Sequence, residues 1–289
     1  MKLLRSLALL LALAVGGFAA PPPLVLVSFD AFRWDYCRLH PDATPHLRAL
    51  AREGVTAEGL ISVFPSNTFP NHYSIVTGLY PAHHGIINND MFDAATGEFF
   101  NYARISSYGA SRWWQGEPIW VTTIKQGGRA GTWFWVGSEA AIEGVRPNPW
   151  LAYDSSIPFE TRLNGMIGWL SHVPRDAPTL ATFYIEKLNS TGHRFGPDSP
   201  ELAAALKQAD ERIGAIVRRL REAHIDANLV IVSDHGMTSI SPDRIVHFDD
   251  FINPSDVQVD FDGPVAGLRP KAGVTVDALM SSLAGLKHA

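Results

Sequence analysis

Cysteine is nearly absent from this chain, since Cys37 is the only one in 289 residues. A single thiol cannot form an intramolecular disulfide, so stability has to come from a hydrophobic core or from bound metal ions. We therefore interpret Cys37 as a structural residue. The chain is long enough for one large domain with a sizeable core.

Basic tracts are absent as well. The 24 Lys and Arg residues are outnumbered by 29 Asp and Glu residues, which gives a net charge of −5. A nucleic-acid polymer binds to a positively charged surface, so that class of partner is excluded. Internal repeats and low-complexity linkers are also missing.

A long apolar segment is missing too. The run at 7–15 is short for a bilayer, but Lys2 and Arg5 precede it and small residues follow it. This is the pattern of a secretory signal. We predict a signal peptide at 1–20 and an exported mature chain at 21–289, periplasmic or secreted, with no membrane span after cleavage.

The pattern that remains indicates an α/β fold. Continuous apolar runs suit strands buried on both faces of a parallel sheet, and here they alternate with segments of helical periodicity. The predicted strands cover 24–30, 55–63, 132–136, 179–186 and 229–233, and the predicted helices cover 44–54, 71–76, 159–170 and 201–223. An irregular region between them contains Trp113, Trp114 and Trp120, which we interpret as packing residues.

Metal-type ligands follow three of the predicted strands. Asp30 ends the first, a predicted loop with Asn189 and His193 follows the second, and Asp234 and His235 follow the third. Parallel strands bring their carboxyl ends to one edge of a sheet, where ligands bind in open α/β folds. Carboxylates with imidazoles suit Zn²⁺ or a similar ion. Each residue alone is better explained as a turn or cap, and only the set favours a metal site.

The stretch 64–72, Phe-Pro-Ser-Asn-Thr-Phe-Pro-Asn-His, leads into a predicted helix. Pro70 suits its first turn, so Thr68 is expected just before an N-terminus that attracts phosphate-like anions. A threonine hydroxyl becomes a nucleophile only with a base or a metal. On this stretch alone, Ser66, Asn67 and Thr68 are better explained as caps. The ligands at the strand ends favour the nucleophile, because two metals about 4 Å apart can activate it and hold a phosphoryl oxygen.

Several motifs, in order along most of the mature chain, carry a resemblance to a known family. They lie at 28–33, 44–45, 64–72, 78–93, 190–197 and 233–237. Together they resemble the nucleotide pyrophosphatase/phosphodiesterase family of the alkaline phosphatase superfamily. The stretch around Thr68 and the Ser-Asp-His-Gly-Met at 233–237 are the most specific of them.

The resemblance implies an alkaline-phosphatase-like fold with a mostly parallel central sheet flanked by helices. It also implies two Zn²⁺ ions and a phosphoryl-binding residue: one ion is held by Asp30, Thr68, Asp234 and His235, the other by Asn189 and His193, and Asn89 holds the phosphoryl oxygen. The implied reaction is hydrolysis of a small-molecule phosphodiester or of a nucleotide pyrophosphate bond. Thr68 attacks phosphorus, and water then hydrolyses the phospho-threonine.

Two aromatic residues are candidates for stacking on a nucleobase or another substrate ring. Phe69 follows Thr68 directly, and Tyr153 lies near the position where the family has a second stacking aromatic. Packing without a role in substrate binding is the alternative for both.

Two departures from the family concern the second zinc site. The family has aspartate where this chain has Asn189, whose amide oxygen can bind a metal but brings no negative charge. The family also takes a histidine from a Gly-rich segment far downstream of His235, and the sequence ends at Ala289 before such a segment. His247 is too close, and His288 is next to the end. We expect a catalytic domain that is incomplete at its C-terminus, with a second zinc site that lacks a ligand.

Other functions remain open on the sequence. A metal-poor, degenerate relative would bind phosphate compounds with little or no turnover. A monoesterase or phosphonate hydrolase is a further possibility within the superfamily. A sulfatase is disfavoured, because Cys37 lacks the Cys-x-Pro-x-Arg context of that class.

Overall fold

The computed structural model describes residues 21–172, 176–263 and 265–286. The predicted signal peptide and His288 lie outside these ranges. Within them, every helix is too short or too polar to cross a bilayer.

A five-stranded parallel sheet forms the centre of the molecule, with strand order β5-β4-β6-β1-β7. Two antiparallel hairpins, β2–β3 and β8–β9, lie outside it. The strands are β1 Leu24–Phe29, β2 Asp90–Asp93, β3 Glu98–Asn101, β4 Ala130–Trp133, β5 Trp150–Leu151, β6 Leu180–Ile185, β7 Asn228–Ser233, β8 Val257–Phe261 and β9 Gly267–Pro270. The helices are α1 Tyr36–Leu39, α2 Pro45–Glu53, α3 Thr68–Thr77, α4 Pro81–His84, α5 Ile105–Tyr108, α6 Ile119–Lys125, α7 Phe159–Leu170, α8 Lys187–Phe195, α9 Pro200–Glu222 and α10 Val276–Leu283.

Strand β1, which lies between β6 and β7, packs on both of its faces. Val25 and Val27 belong to a core that includes residues of α7 and α9, and Leu26 belongs to a second core that contains Trp120 and Trp135. This division follows from the alternation of side chains along a strand. It explains why the apolar run is continuous, as a strand buried on both faces requires.

The register of the sheet places three strand ends side by side. Phe29, the last residue of β1, is opposite Ile185 of β6 and Ser233 of β7. The residues that follow therefore leave the sheet along one edge. Asp30 and Asp234 are among them, so their carboxyl groups lie at the ends of two neighbouring strands.

Most predicted elements are confirmed, with small shifts at their ends. The predicted strands at 24–30, 179–186 and 229–233 correspond to β1, β6 and β7. The predicted helices at 44–54, 71–76, 159–170 and 201–223 correspond to α2, α3, α7 and α9. Trp113, Trp114 and Trp120 are buried, as expected of packing residues.

Three local predictions are wrong or shifted. The segment 55–63 is not a strand, and Val55 and Ile61 are almost fully exposed because no strand of the described chain pairs with it. The strand predicted at 132–136 ends at Trp133, where Phe134 turns the backbone with a φ of 65°. The predicted loop with Asn189 and His193 is the helix α8.

Candidate metal and phosphoryl site

Three ligand side chains meet at the edge formed by β1 and β7. One ligand atom from each of Asp30, Asp234 and His235 lies within 4.8 Å of the others. Nε2 of His235 is 3.4 Å from Oδ1 of Asp30 and 3.2 Å from Oδ2 of Asp234. Because β1 and β7 end at the same level, residues that are far apart in sequence converge here.

The oxygens that face His235 are unsatisfied. Oδ1 of Asp30 and Oδ2 of Asp234 are buried and accept no hydrogen bond, although Nδ1 of His72 lies 3.2 Å from the latter. A buried carboxylate oxygen without a donor costs free energy, so such atoms indicate a missing partner. Two carboxylate oxygens and an imidazole nitrogen are a donor set that suits Zn²⁺.

The second oxygen of each carboxylate is held by the protein. The Tyr184 hydroxyl donates to Oδ2 of Asp30. Oδ1 of Asp234 accepts the N–H of Ala31 at 3.1 Å and the N–H of His235 at 2.8 Å. Ala31 makes its bond from a left-handed conformation with a φ of 62°, which is unusual for a residue with a Cβ. These bonds orient the free oxygens towards His235, as supporting contacts do at metal sites.

The two carboxyl groups have pKa values displaced in opposite directions. Burial, and then the charge of Asp234, raises the pKa of Asp30 to about 7. Burial would also raise the pKa of Asp234, but His72, His235 and the N–H of Ala31 together outweigh it and hold that pKa below its ordinary value. Two acids that share a buried site cannot both ionise cheaply without a cation.

Thr68 contributes the hydroxyl at this cluster. It is the first residue of α3 rather than the residue before it, and its Oγ1 lies 3.2 Å from Nε2 of His235. The Asn67 side chain does not cap the helix and instead donates to Oδ1 of Asn88. The N–H of Thr68 has no hydrogen-bond partner in the described residues and is available to an anion beside the ligand group.

Asn89 is tied to the start of the same helix. Its Oδ1 accepts the N–H of Phe69 at 2.9 Å, which leaves the Nδ2 group of Asn89 as the free donor. Asn88 supports this arrangement, since its Oδ1 also accepts the N–H of Asn89 at 2.8 Å.

The two candidate stacking residues have different surroundings. Phe69 follows Thr68 and packs against a group of aromatic rings that includes Phe100, with centroids 5.7 Å apart. The Tyr153 ring is 44% exposed and lies 6.1 Å from the ring of Tyr184, whose hydroxyl holds Asp30.

The group of ligands proposed for the second zinc site is less complete than the first group. Asn189 and His193 are one turn apart on α8, so they share a helix face. Oδ1 of Asn189 is buried without a hydrogen-bond partner, whereas His193 is exposed. His247 is exposed as well. Neither histidine joins a group of three His, Cys, Asp or Glu ligands in the described ranges.

Sequence reasoning gave no role to His72, which supports the site from behind. It is fully buried, with Nδ1 3.2 Å from Oδ2 of Asp234 and Nε2 2.8 Å from the Ser28 hydroxyl. Burial lowers the pKa of His72, but Asp234, Asp30 and the Thr68 carbonyl together outweigh burial and the pKa is raised. Its position four residues after Thr68, on the same face of α3, is the sequence signal that could have identified it.

Comparison with known proteins finds relatives over most of the chain. The family model described as type I phosphodiesterase/nucleotide pyrophosphatase matches residues 24–282. A bis(5′-adenosyl)-triphosphatase of Xenopus laevis is 39% identical over 256 residues, which are 87% of this chain and 55% of that protein. A venom phosphodiesterase of Macrovipera lebetinus is 39% identical over 86% of this chain and 29% of its own length. This chain therefore spans about half or less of these relatives.

Solved structures show the same fold. Murine ectonucleotide pyrophosphatase/phosphodiesterase 5 superposes with a TM-score of 0.85 at 34% identity, covering 92% of this chain and 70% of that one. A second structure of that protein is an inactive threonine-to-alanine variant in complex with AMP, with the same TM-score of 0.85. The fold is alkaline-phosphatase-like, and the chain belongs to the type I phosphodiesterase/nucleotide pyrophosphatase family.

Proposed function

We propose that this chain is a zinc-dependent phosphodiesterase or nucleotide pyrophosphatase that works through a phospho-threonine at Thr68. The observation that carries the proposal is the position of the Thr68 hydroxyl, 3.2 Å from Nε2 of His235. The same nitrogen faces two carboxylate oxygens that have no hydrogen-bond partner. Family membership supports a hydrolase of this class.

The donor set fits Zn²⁺ at the first site. Asp30, Asp234 and His235 would hold it together with the Thr68 oxygen. The ion would supply positive charge that favours the ionised form of that hydroxyl. Asn189 and His193 are the proposed donors at a second Zn²⁺ site, where the buried and unpaired Oδ1 of Asn189 fits a cation.

The proposed reaction has two covalent steps. The Thr68 oxygen forms a bond to phosphorus while the bond to the leaving group breaks, and the hydroxyl proton ends on the departing alcohol or phosphate. Water then cleaves the threonine–phosphate bond and restores the hydroxyl. The N–H of Thr68 at the start of α3 and the Nδ2 group of Asn89 would bind the phosphoryl oxygens during both steps.

A nucleotide is the proposed substrate class. Phe69 and Tyr153 would bind the base, because both lie next to the ligand group and Tyr153 is partly exposed. The complex of a relative with AMP supports this choice.

Hydrolysis of bis(4-nitrophenyl) phosphate, measured with zinc and after its removal, tests the class of activity. Thr68→Ala should lower kcat about a thousandfold or more, because the nucleophile is lost. Thr77→Ala is the matched control: it lies at the other end of α3, where its hydroxyl donates to the Tyr73 carbonyl. Activity that survives Thr68→Ala would contradict the proposed nucleophile.

A chain that binds phosphate compounds without turnover is the second candidate, favoured by Asn189 and by the exposure of His193. It predicts one zinc or none per chain and no hydrolysis at any zinc concentration. Metal analysis alongside the nitrophenyl assay separates the two candidates.

We also propose export of the chain, on the signal pattern at 1–20. Relatives named as venom and ectonucleotide enzymes support an extracellular setting. N-terminal sequencing of protein recovered from periplasm or medium should find a first residue near Pro21, whereas a retained Met1 would contradict export with cleavage.

A further inference from the structure

Glu139 is a buried acid that the proposed reaction does not use. It is only 5% exposed, and burial raises its pKa to about 7. It lies in the turn after β4, where Phe134 and Gly137 have φ values of 65° and 90°. Carboxyl groups are rarely buried in this way unless they hold something in place.

The carboxyl group of Glu139 holds the backbone of Tyr153. Oε1 accepts the N–H of Tyr153 at 3.3 Å, across fourteen positions of sequence. Tyr153 follows β5, which contributes only Trp150–Leu151 to the sheet. The sheet ladder therefore does not fix Tyr153, and the bond from Glu139 joins this segment to the turn after β4.

The ring that this bond supports lies at the proposed site. Tyr153 packs on Phe134 with centroids 5.4 Å apart and on Tyr184 at 6.1 Å. Tyr184 in turn donates its hydroxyl to Asp30. A shift of the backbone at Tyr153 would move the exposed ring relative to the ligand group.

We propose that Glu139 is a positioning residue: it fixes Tyr153 as a platform for the nucleobase and so sets the preference for nucleotides over phosphates without a base. The inference rests on the proposed function, because it takes Tyr153 as the base-binding residue. Glu139 acts through Tyr153 and does not itself touch the substrate.

Calorimetric binding of AMP and of ribose 5-phosphate, in the same zinc-containing buffer, tests the proposal. Glu139→Leu removes the acceptor at similar size, and we expect AMP to bind about five- to tenfold more weakly, the effect of one hydrogen bond. Ribose 5-phosphate should bind as to the wild type. Glu139→Gln keeps an acceptor oxygen and should restore AMP binding. Glu143→Gln, an exposed acid in the same segment, is the control.

A double substitution separates positioning from general damage. In a Tyr153→Ala background, Glu139→Leu should cause no further loss of AMP affinity, because the platform is already gone. Equal losses for both ligands, or a Glu139→Gln variant as weak as Glu139→Leu, would overturn the proposal. If Glu139→Leu does not fold, Glu139→Asp retains the acid, withdraws its oxygen from Tyr153 and carries the same expectation.

The outcomes also distinguish this proposal from the proposed function. Tyr153→Ala with unchanged AMP affinity would refute the base platform itself. Tyr153→Ala with weakened AMP binding, beside an unaffected Glu139→Leu, would refute only the role of Glu139.

Discussion

The edge of the sheet at β1 and β7 and the helix α8 carry the two halves of the proposed two-zinc site, and they are built to different degrees. At the edge, Asp30 and Asp234 each have one oxygen held by the protein and one oxygen free towards His235. On α8, Asn189 presents one unpaired buried oxygen and His193 is exposed. The carboxylates and the hydrogen bonds that orient them are at the edge, so we expect zinc to bind more tightly there than at α8.

Removing His72, which supports Asp234, should have the largest effect on the difference in zinc affinity between the two sites. His72→Ala takes away the side chain that contacts Asp234, and we expect zinc at the edge to bind about 10- to 100-fold more weakly. His84→Ala is the control: His84 is also fully buried, but it contacts Ser74 rather than a ligand. Zinc titration by calorimetry measures both, and equal effects would refute a specific role for His72.

Adding a negative charge on α8 should reduce the difference in zinc affinity between the two sites. Asn189→Asp supplies the carboxylate that the family resemblance implies at this position, and we expect about tenfold tighter zinc binding at the second site, with faster turnover. Ser190→Asp places the same charge on the adjacent exposed position and should change neither. Unchanged zinc content and activity in Asn189→Asp would count against a metal role for this residue.

The smallest effect concerns the zinc-free chain. The pKa of Asp30 is about 7 when folded, against an ordinary value of 3.8, so folding retains a proton between these values and the stability it gives is lost as pH rises through about 7. Asp30→Asn cannot ionise. In EDTA at pH 8.5 it should melt about 3 °C higher than the wild type, and at pH 5 the difference should be smaller, because the wild type loses this stability progressively between pH 3.8 and about 7. The same difference at both pH values would contradict this account of Asp30.

The two regions also differ in how far the sequence predicts them. The residues at the edge follow β1 and β7, whose continuous apolar runs predict parallel strands. β1 is buried, whereas β7, the outer strand on its side of the described sheet, is partly exposed. Their convergence then follows from parallel geometry alone. The register that makes the strand ends level, and the hydrogen bonds of Tyr184 and Ala31, needed the structure.

The helix α8 was predicted as a loop because Asn, Ser, Thr and Gly have low helix propensity. Tertiary packing overrides that preference. Leu188, Thr191 and Gly192 are buried, and a Cβ at Gly192 would come within 2.5 Å of the Met237 sulfur, so glycine lets the Met237 side chain pack closely on this helix. His72 was missed for a related reason, since its role depends on a contact with Asp234 that no local pattern reports.

The most direct test of the central claim is the zinc content per chain of Asp234→Asn against the wild type. We predict that the variant loses the zinc bound at the edge of the sheet, together with turnover. The control Asp198→Asn, an exposed carboxylate away from the cluster, should retain both. An Asp234→Asn variant that keeps the wild-type zinc content would contradict the claim that Asp30, Asp234 and His235 hold a metal beside Thr68.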